Sequence, residues 1–127
     1  MILYIDTTQR EFIKLALIKQ QEVFLLDKNV NTKQSENLLK FLDRFLKLKK
    51  VKLKNIESVI VNTGPGSFTS VRIGVVLANT LSYALKIPVI AVSQKEIVNK
   101  EDILKLLEIK SKTEFVKPFY YKDPNIN

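Results

Sequence analysis

The sequence predicts an α/β fold: a five-stranded mixed sheet with helices, then a short C-terminal helix and an extended tail. Three observations predict it. The β-branched run Val59-Ile60-Val61 is broken by the turn residues Asn62-Thr63-Gly64-Pro65-Gly66 and followed by an apolar helix, which makes a strand–loop–helix unit. Three short apolar runs joined by polar tips precede it, as in an antiparallel meander. The chain has 127 residues, one domain's length, and a domain of that size buries roughly two-thirds of its unfolded surface.

Taken in order, residues 2–5 form a short apolar run that reads as a central strand, ending in the polar turn Asp6-Thr7-Thr8-Gln9-Arg10. Residues 12–18 and 22–27 read as two further strands around the tip Lys19-Gln20-Gln21-Glu22, and residues 27–33 as a polar loop. A helix follows over 35–48. Its apolar positions Leu38, Leu39, Phe41, Leu42, Phe45, Leu46 and Leu48 fill about half its circumference, wider than the roughly 100° stripe of a surface helix. Residues 57–62 are the next strand. The helix over 71–85 carries a single charge, Arg72, and Ser67, Thr69 or Ser70 supplies its N-cap. A helix apolar all round has to be covered on every side, which a short chain does with difficulty. Residues 88–92 make the fifth strand, 101–108 a short helix and 115–121 an aromatic tail laid on the body. The helices over 35–48 and 71–85 are expected on one face of the sheet. This element order is that of one ribonuclease H-like, actin-like lobe, with residues 1–98 as the lobe and 99–127 packed on it.

Composition narrows the chemistry. There is no cysteine and no histidine, so thiolate metal sites, disulfides and the commonest catalytic base are excluded. No stretch reads as a membrane span of ~18 apolar residues and no signal peptide is read before the first strand. A cytoplasmic chain that does not engage membranes is the expectation. The net charge is +8, but of 21 basic residues only Arg10, Arg44 and Arg72 are arginines. Specific phosphate sites favour arginine, so a lysine-rich background is favoured over polyanion binding as the explanation. The run Lys47 to Lys54 holds five lysines and reads either as a solvated connection or as an RNA-facing patch, the former being favoured.

Two constellations bear on chemistry. Gly64-Pro65-Gly66-Ser67-Phe68-Thr69, a glycine-rich turn entering a helix, suits a phosphate through its backbone N–H groups, but a plain tight strand-to-helix turn is the favoured reading. No lysine follows where a Walker loop needs one. In Asp6-Thr7-Thr8, after the first strand, the acidic residue suits Mg²⁺ at a nucleotide or an Asx-type turn, and the turn is favoured. There is no paired carboxylate and no nucleophile–base couple, so spacing offers no complete active site.

At residues 64–74, GPGSFTSVRIG, the chain resembles the GPGSFTGLRIG signature of the TsaB (YeaZ) family, which serves the making of threonylcarbamoyladenosine in tRNA. IDTT at 5–8 is similar to the family's IDTS, QSENLL at 34–39 to its HSE-leucine helix start, IPVIAVS at 87–93 to its strand after the second helix, and KPFYYKDP at 117–124 to its closing tail. The likeness covers residues 1–98 and the last dozen. Ser70 stands where the family has glycine, and Lys33 or Gln34 where it has histidine. The chain resembles a short form lacking most of the second lobe. The resemblance implies a non-catalytic relative of the transferase TsaD, without a cofactor. It implies pairing with a TsaD homologue through the two lobe helices, docking of a TsaE-type ATPase on that pair, and tRNA met through the complex. In isolation a homodimer is the counterpart. Asp6, Thr7, Gly64, Gly66 and Ser67 are then a vestigial phosphate loop, and with one lobe absent ATP is expected to be neither bound tightly nor hydrolysed. A nucleotide-binding actin-like enzyme and a basic RNA-binding module are the alternatives.

Spacing also suggests where pairing occurs. Gly74, Ala78 and Ser82 recur at every fourth position and form a ridge of small side chains that another helix can approach closely. Ile73, Val76, Leu77, Thr80 and Ala84 then face the sheet. With Arg72, and with Leu38, Phe41, Leu42 and Phe45 of the neighbouring helix, the ridge is the expected partner seam.

Overall fold

The computed structural model describes residues 1–93, 97 and 99–110. The strands are β1 (Ile2–Asp6), β2 (Phe12–Lys19), β3 (Glu22–Asn29), β4 (Ser58–Asn62) and β5 (Val89–Val92). The helices are α1 (Gln34–Leu48), α2 (Phe68–Leu85) and α3 (Lys100–Lys110), with a 3₁₀ turn over Leu53–Asn55. The sheet order is β3-β2-β1-β4-β5. β2 runs antiparallel to both β1 and β3, while β1, β4 and β5 are parallel. This is the mixed, ribonuclease H-like sheet that the element order predicts. The aromatic segment over 115–121 lies outside the described residues.

Side chains alternate across a strand, and here both faces are covered. Leu3, Ile5, Ile13, Leu15, Leu17, Val59 and Val61 point to one face and pack with α1 and α2. Tyr4, Ala16, Ile18, Ile60, Ile90 and Val92 point to the other and pack with Ile103 and Leu106 of α3. Leu3, Tyr4 and Ile5 are completely buried, as a central strand sandwiched on both sides must be. The two longer helices do lie on one face. Ser67 caps α2 by accepting from Ser70 N at 3.4 Å, and Lys86 closes it in a left-handed conformation.

Two expectations are corrected. The ridge of small residues faces inward. Ala78 and Ser82 are buried, and a β-carbon added to Gly74 would lie 2.8 Å from Thr7 Oγ1 and 3.3 Å from Ile5 Cγ2. Small side chains let α2 lie down on the end of β1, and Ser82 Oγ donates to Ile87 O. Leu38, Leu42 and Phe45 also belong to the core, with Phe41 partly buried against it. Val76 is 60% exposed, and Thr80 and Ala84 are exposed as well, so this flank faces away from the sheet. The second correction is that α2, at 18 residues and mean hydropathy 1.2, does reach the length and apolarity of a membrane span. Its Val71, Val75, Ala78 and Leu81 nevertheless pack in the core between the helices and the sheet.

Candidate functional site

Parallel pairing of Ile5 with Val61 brings the carboxyl ends of β1 and β4 side by side. Asp6 and Asn62 therefore meet although they lie far apart in the chain. Ligands of open α/β sheets gather at such strand ends. Here the polar groups satisfy one another. Asp6 Oδ1 accepts from Thr8 N at 2.9 Å and Thr8 Oγ1 at 2.7 Å, the Asx-type turn. Asp6 Oδ2 accepts from Tyr4 Oη at 2.8 Å and Asn62 Nδ2 at 3.2 Å. A carboxylate offers about four lone-pair sites, and all are occupied. Burial pushes the Tyr4 hydroxyl far above its usual range, and the Asp6 charge and hydrogen bond push it further.

The glycine turn closes on the same cluster. Gly64 has φ of 103° and donates its N–H to Asn62 Oδ1 at 3.0 Å. Gly66 presses against Thr8, with Ser67 N donating to Thr8 O at 3.4 Å. Thr7 Oγ1 donates to Ser70 O and accepts from Gly74 N at 3.1 Å. The structure thus brings Asp6, Thr7, Gly64, Gly66 and Ser67 into one cluster, linked through Thr8, Asn62 and Ser70. Among the described residues no three acidic side chains converge as a metal site would need. Thr8 completes the Asp6-Thr7-Thr8 turn that the sequence predicts, whereas the parts played by Tyr4, Asn62 and Gln34 were not anticipated from the sequence. Gln34 Nε2 donates to Thr7 O, Gln9 O and Phe12 O at 3.1, 2.7 and 2.8 Å, tying the start of α1 to the loop after β1. Only the polar residue at the end of a β-branched run hinted at Asn62.

A second feature lies on the outer surface of the helices. An apolar groove of about 530 Å³ runs between α1 and α2, lined by Ser35, Leu38, Leu39, Thr69, Arg72, Ile73, Val76, Leu77 and Thr80. Leu39 is 65% exposed and Val76 60%. Arg72 stands at its amino end with its guanidinium 5.6 Å from the Phe68 ring centre. Leu39 was legible as an apolar position of α1; Val76 was assigned to the wrong side of α2.

Comparison with known proteins agrees with these features. The model of the family TsaD, tRNA N6-adenosine threonylcarbamoyltransferase, matches residues 28–105. The tRNA threonylcarbamoyladenosine biosynthesis protein TsaB of Buchnera aphidicola from Schizaphis graminum is 32% identical over 97 residues, covering 76% of this chain and 46% of that protein. The TsaB of Bacillus subtilis is 51% identical over 43 residues, 34% of this chain and 19% of that protein. The solved structure of YeaZ from Pseudomonas aeruginosa superposes with a TM-score of 0.68 at 29% identity, covering 72% of this chain and 43% of that one. The chain therefore spans about half the length of the curated TsaB of Buchnera. Signature, sheet order and family match converge: the chain belongs to the TsaB (YeaZ) family of tRNA threonylcarbamoyladenosine biosynthesis, within the wider family that the TsaD model describes.

Proposed function

We propose that this chain is a scaffold subunit in the threonylcarbamoyl modification of tRNA, pairing with a TsaD-type transferase and supporting its activity without performing chemistry itself. The observation that carries the reading is the groove between α1 and α2, where Leu39 and Val76 stand open to solvent on two adjoining helices. Covering such a face with a partner's helices removes apolar area from water at roughly 25 cal/mol per Å². Exposed apolar patches rimmed by polar groups mark interaction sites, and here Ser35, Arg72 and Thr80 form the rim. The saturation of Asp6 favours a subunit over a nucleotide-processing enzyme, because a cation would first have to displace Tyr4, Asn62 or Thr8.

The seam of this proposal is the outer flank of α2 and the edge of α1, with Arg72 kept and the buried Gly74, Ala78 and Ser82 acting beneath it. TsaE would dock on the pair, and a second copy of this chain would occupy the same groove when the transferase is absent. Co-elution with a TsaD homologue tests the reading. The wild-type chain should elute as a stable pair, and Val76→Asp with Leu39→Asp should elute alone while remaining folded. Pairing that survives both substitutions would remove the groove from the seam.

A further inference from the structure

The segment between α1 and β4 is not explained by that seam. Lys49, Lys50, Lys52 and Lys54 are all exposed on it, beside the exposed Lys47 in the last turn of α1. It is a shaped turn: Lys49 N donates to Phe45 O, Lys50 N to Lys47 O, Val51 N to Leu46 O, and Lys52 N to Asn55 Oδ1. Lys19, at the end of β2, adds to the patch, because Lys19 and Lys50 rim one hollow of about 640 Å³. Acids are few here. Asp43 holds Lys47 at 3.0 Å, Glu57 holds the N-terminal ammonium at 3.3 Å, and Glu22 stands opposite Lys19 across the hairpin. Lys49 lies over the Phe24 ring at 4.5 Å. Among the described residues Lys19, Lys50, Lys52 and Lys54 make no ion pair. The carboxyl end of α1 favours cations within its last turn, which does not extend to Lys19, Lys52 or Lys54. Like charges held on a fixed turn repel one another and do nothing for the fold. On a phosphate backbone each contact releases counterions and adds affinity.

We infer that this end of the molecule binds the phosphate backbone of RNA, independently of sequence. The choice of RNA over other polyanions rests on the tRNA-modification reading above. Position agrees with it. A third hollow, of about 400 Å³, includes Leu39, Leu46, Lys47 and Lys52 and so joins the lysine patch to the apolar groove. RNA held by the lysines would lie beside a transferase seated on α1 and α2. Leu48 and Leu53, 73% and 42% exposed within the patch, make an anionic membrane the rival occupant.

The test titrates the full chain with an unmodified tRNA transcript across a salt series, beside the variant Lys50→Gln/Lys52→Gln/Lys54→Gln. The variant should bind about tenfold or more weakly at low salt, and its log–log salt slope should be shallower by about two to three. It should still co-elute with a TsaD homologue. Should the triple variant fail to fold, Lys54→Gln alone should flatten the slope by about one. Equal slopes, no binding of tRNA by the wild type, or binding of phosphatidylserine–phosphatidylcholine vesicles in place of tRNA would overturn the inference. Loss of TsaD pairing with the slope difference intact would remove the scaffold reading and sustain this one.

Discussion

Asn62 reaches Asp6 across the parallel pair of β1 and β4, its Nδ2 donating to Asp6 Oδ2 over 3.2 Å. The same amide also donates to Tyr4 Oη at 3.2 Å. Three polar side chains thus close the strand ends that open α/β sheets commonly leave to a ligand. The consequence is a prediction about alkaline stability. Tyr4 is held protonated by burial and by Asp6, whereas in the unfolded chain it titrates near 10. A folded-state value raised above the unfolded one contributes stability that is complete below about pH 10 and lost as pH rises further. The wild type should therefore lose about 1.4 kcal/mol per pH unit above pH 10 on account of this residue. Tyr4→Phe should cost about 1–2 kcal/mol at neutral pH and show a shallower alkaline limb. Urea melts of both proteins between pH 8 and 11 check it; parallel limbs would refute it.

Gly66 has no room for a side chain. A β-carbon there would lie 2.5 Å from Thr8 O and 2.8 Å from Thr8 Cβ. Main chain is what it would strike, so the clash is not relieved by a rotamer. Gly66→Ala should destabilise the fold by about 2 kcal/mol, read as a lowered thermal midpoint. An unchanged midpoint would mean the loop can move off Thr8.

Gln34 clamps three main-chain carbonyls with one amide nitrogen. Gln34→Ala leaves buried acceptors short of a donor and should cost about 2–3 kcal/mol. Gln34→Glu sets acceptor against acceptors and should cost more at neutral pH, recovering part of the loss as the acid protonates. Denaturation of the two variants at pH 7 and pH 4 separates these outcomes; equal losses at both pH values would count against the clamp.

Most of the fold was legible because its strands are short, apolar and bounded by turn residues. The runs at 2–5, 12–18 and 57–62 fall within a residue or two of β1, β2 and β4. The Asp6–Asn62 meeting was not legible, since it depends on the pairing of Ile5 with Val61 rather than on any local pattern. The orientation of α2 was not legible either. Periodicity reveals a buried face only when polar residues mark the opposite one, and α2 has so few that the ridge Gly74-Ala78-Ser82 reads as its outer side and Val76-Thr80-Ala84 as its inner one, the reverse of the structure. What decided it was volume: Gly74 lies so close to Thr7 and Ile5 that a β-carbon has no room there.

That choice of side gives the sharpest contrast between two substitutions of the same kind on one helix. Ala78 is fully buried, whereas Val76 is 60% exposed. Ala78→Trp forces an indole between α2 and the sheet. Overpacking costs typically 1–3 kcal/mol, occasionally more, and the largest side chain replacing the second smallest belongs at the upper end. The variant should lose its folded circular-dichroism signal or melt far earlier, and any loss of pairing would follow from unfolding. Val76→Trp adds bulk on the outer flank and should change stability by no more than about 0.5 kcal/mol, as surface substitutions do. If the groove is the seam, this folded variant still fails to pair with a TsaD homologue, because the indole fills space that the partner needs. Circular dichroism and size-exclusion chromatography on both proteins give four readings. A folded Ala78→Trp would contradict the inward ridge, and a Val76→Trp that pairs normally would contradict the outward seam.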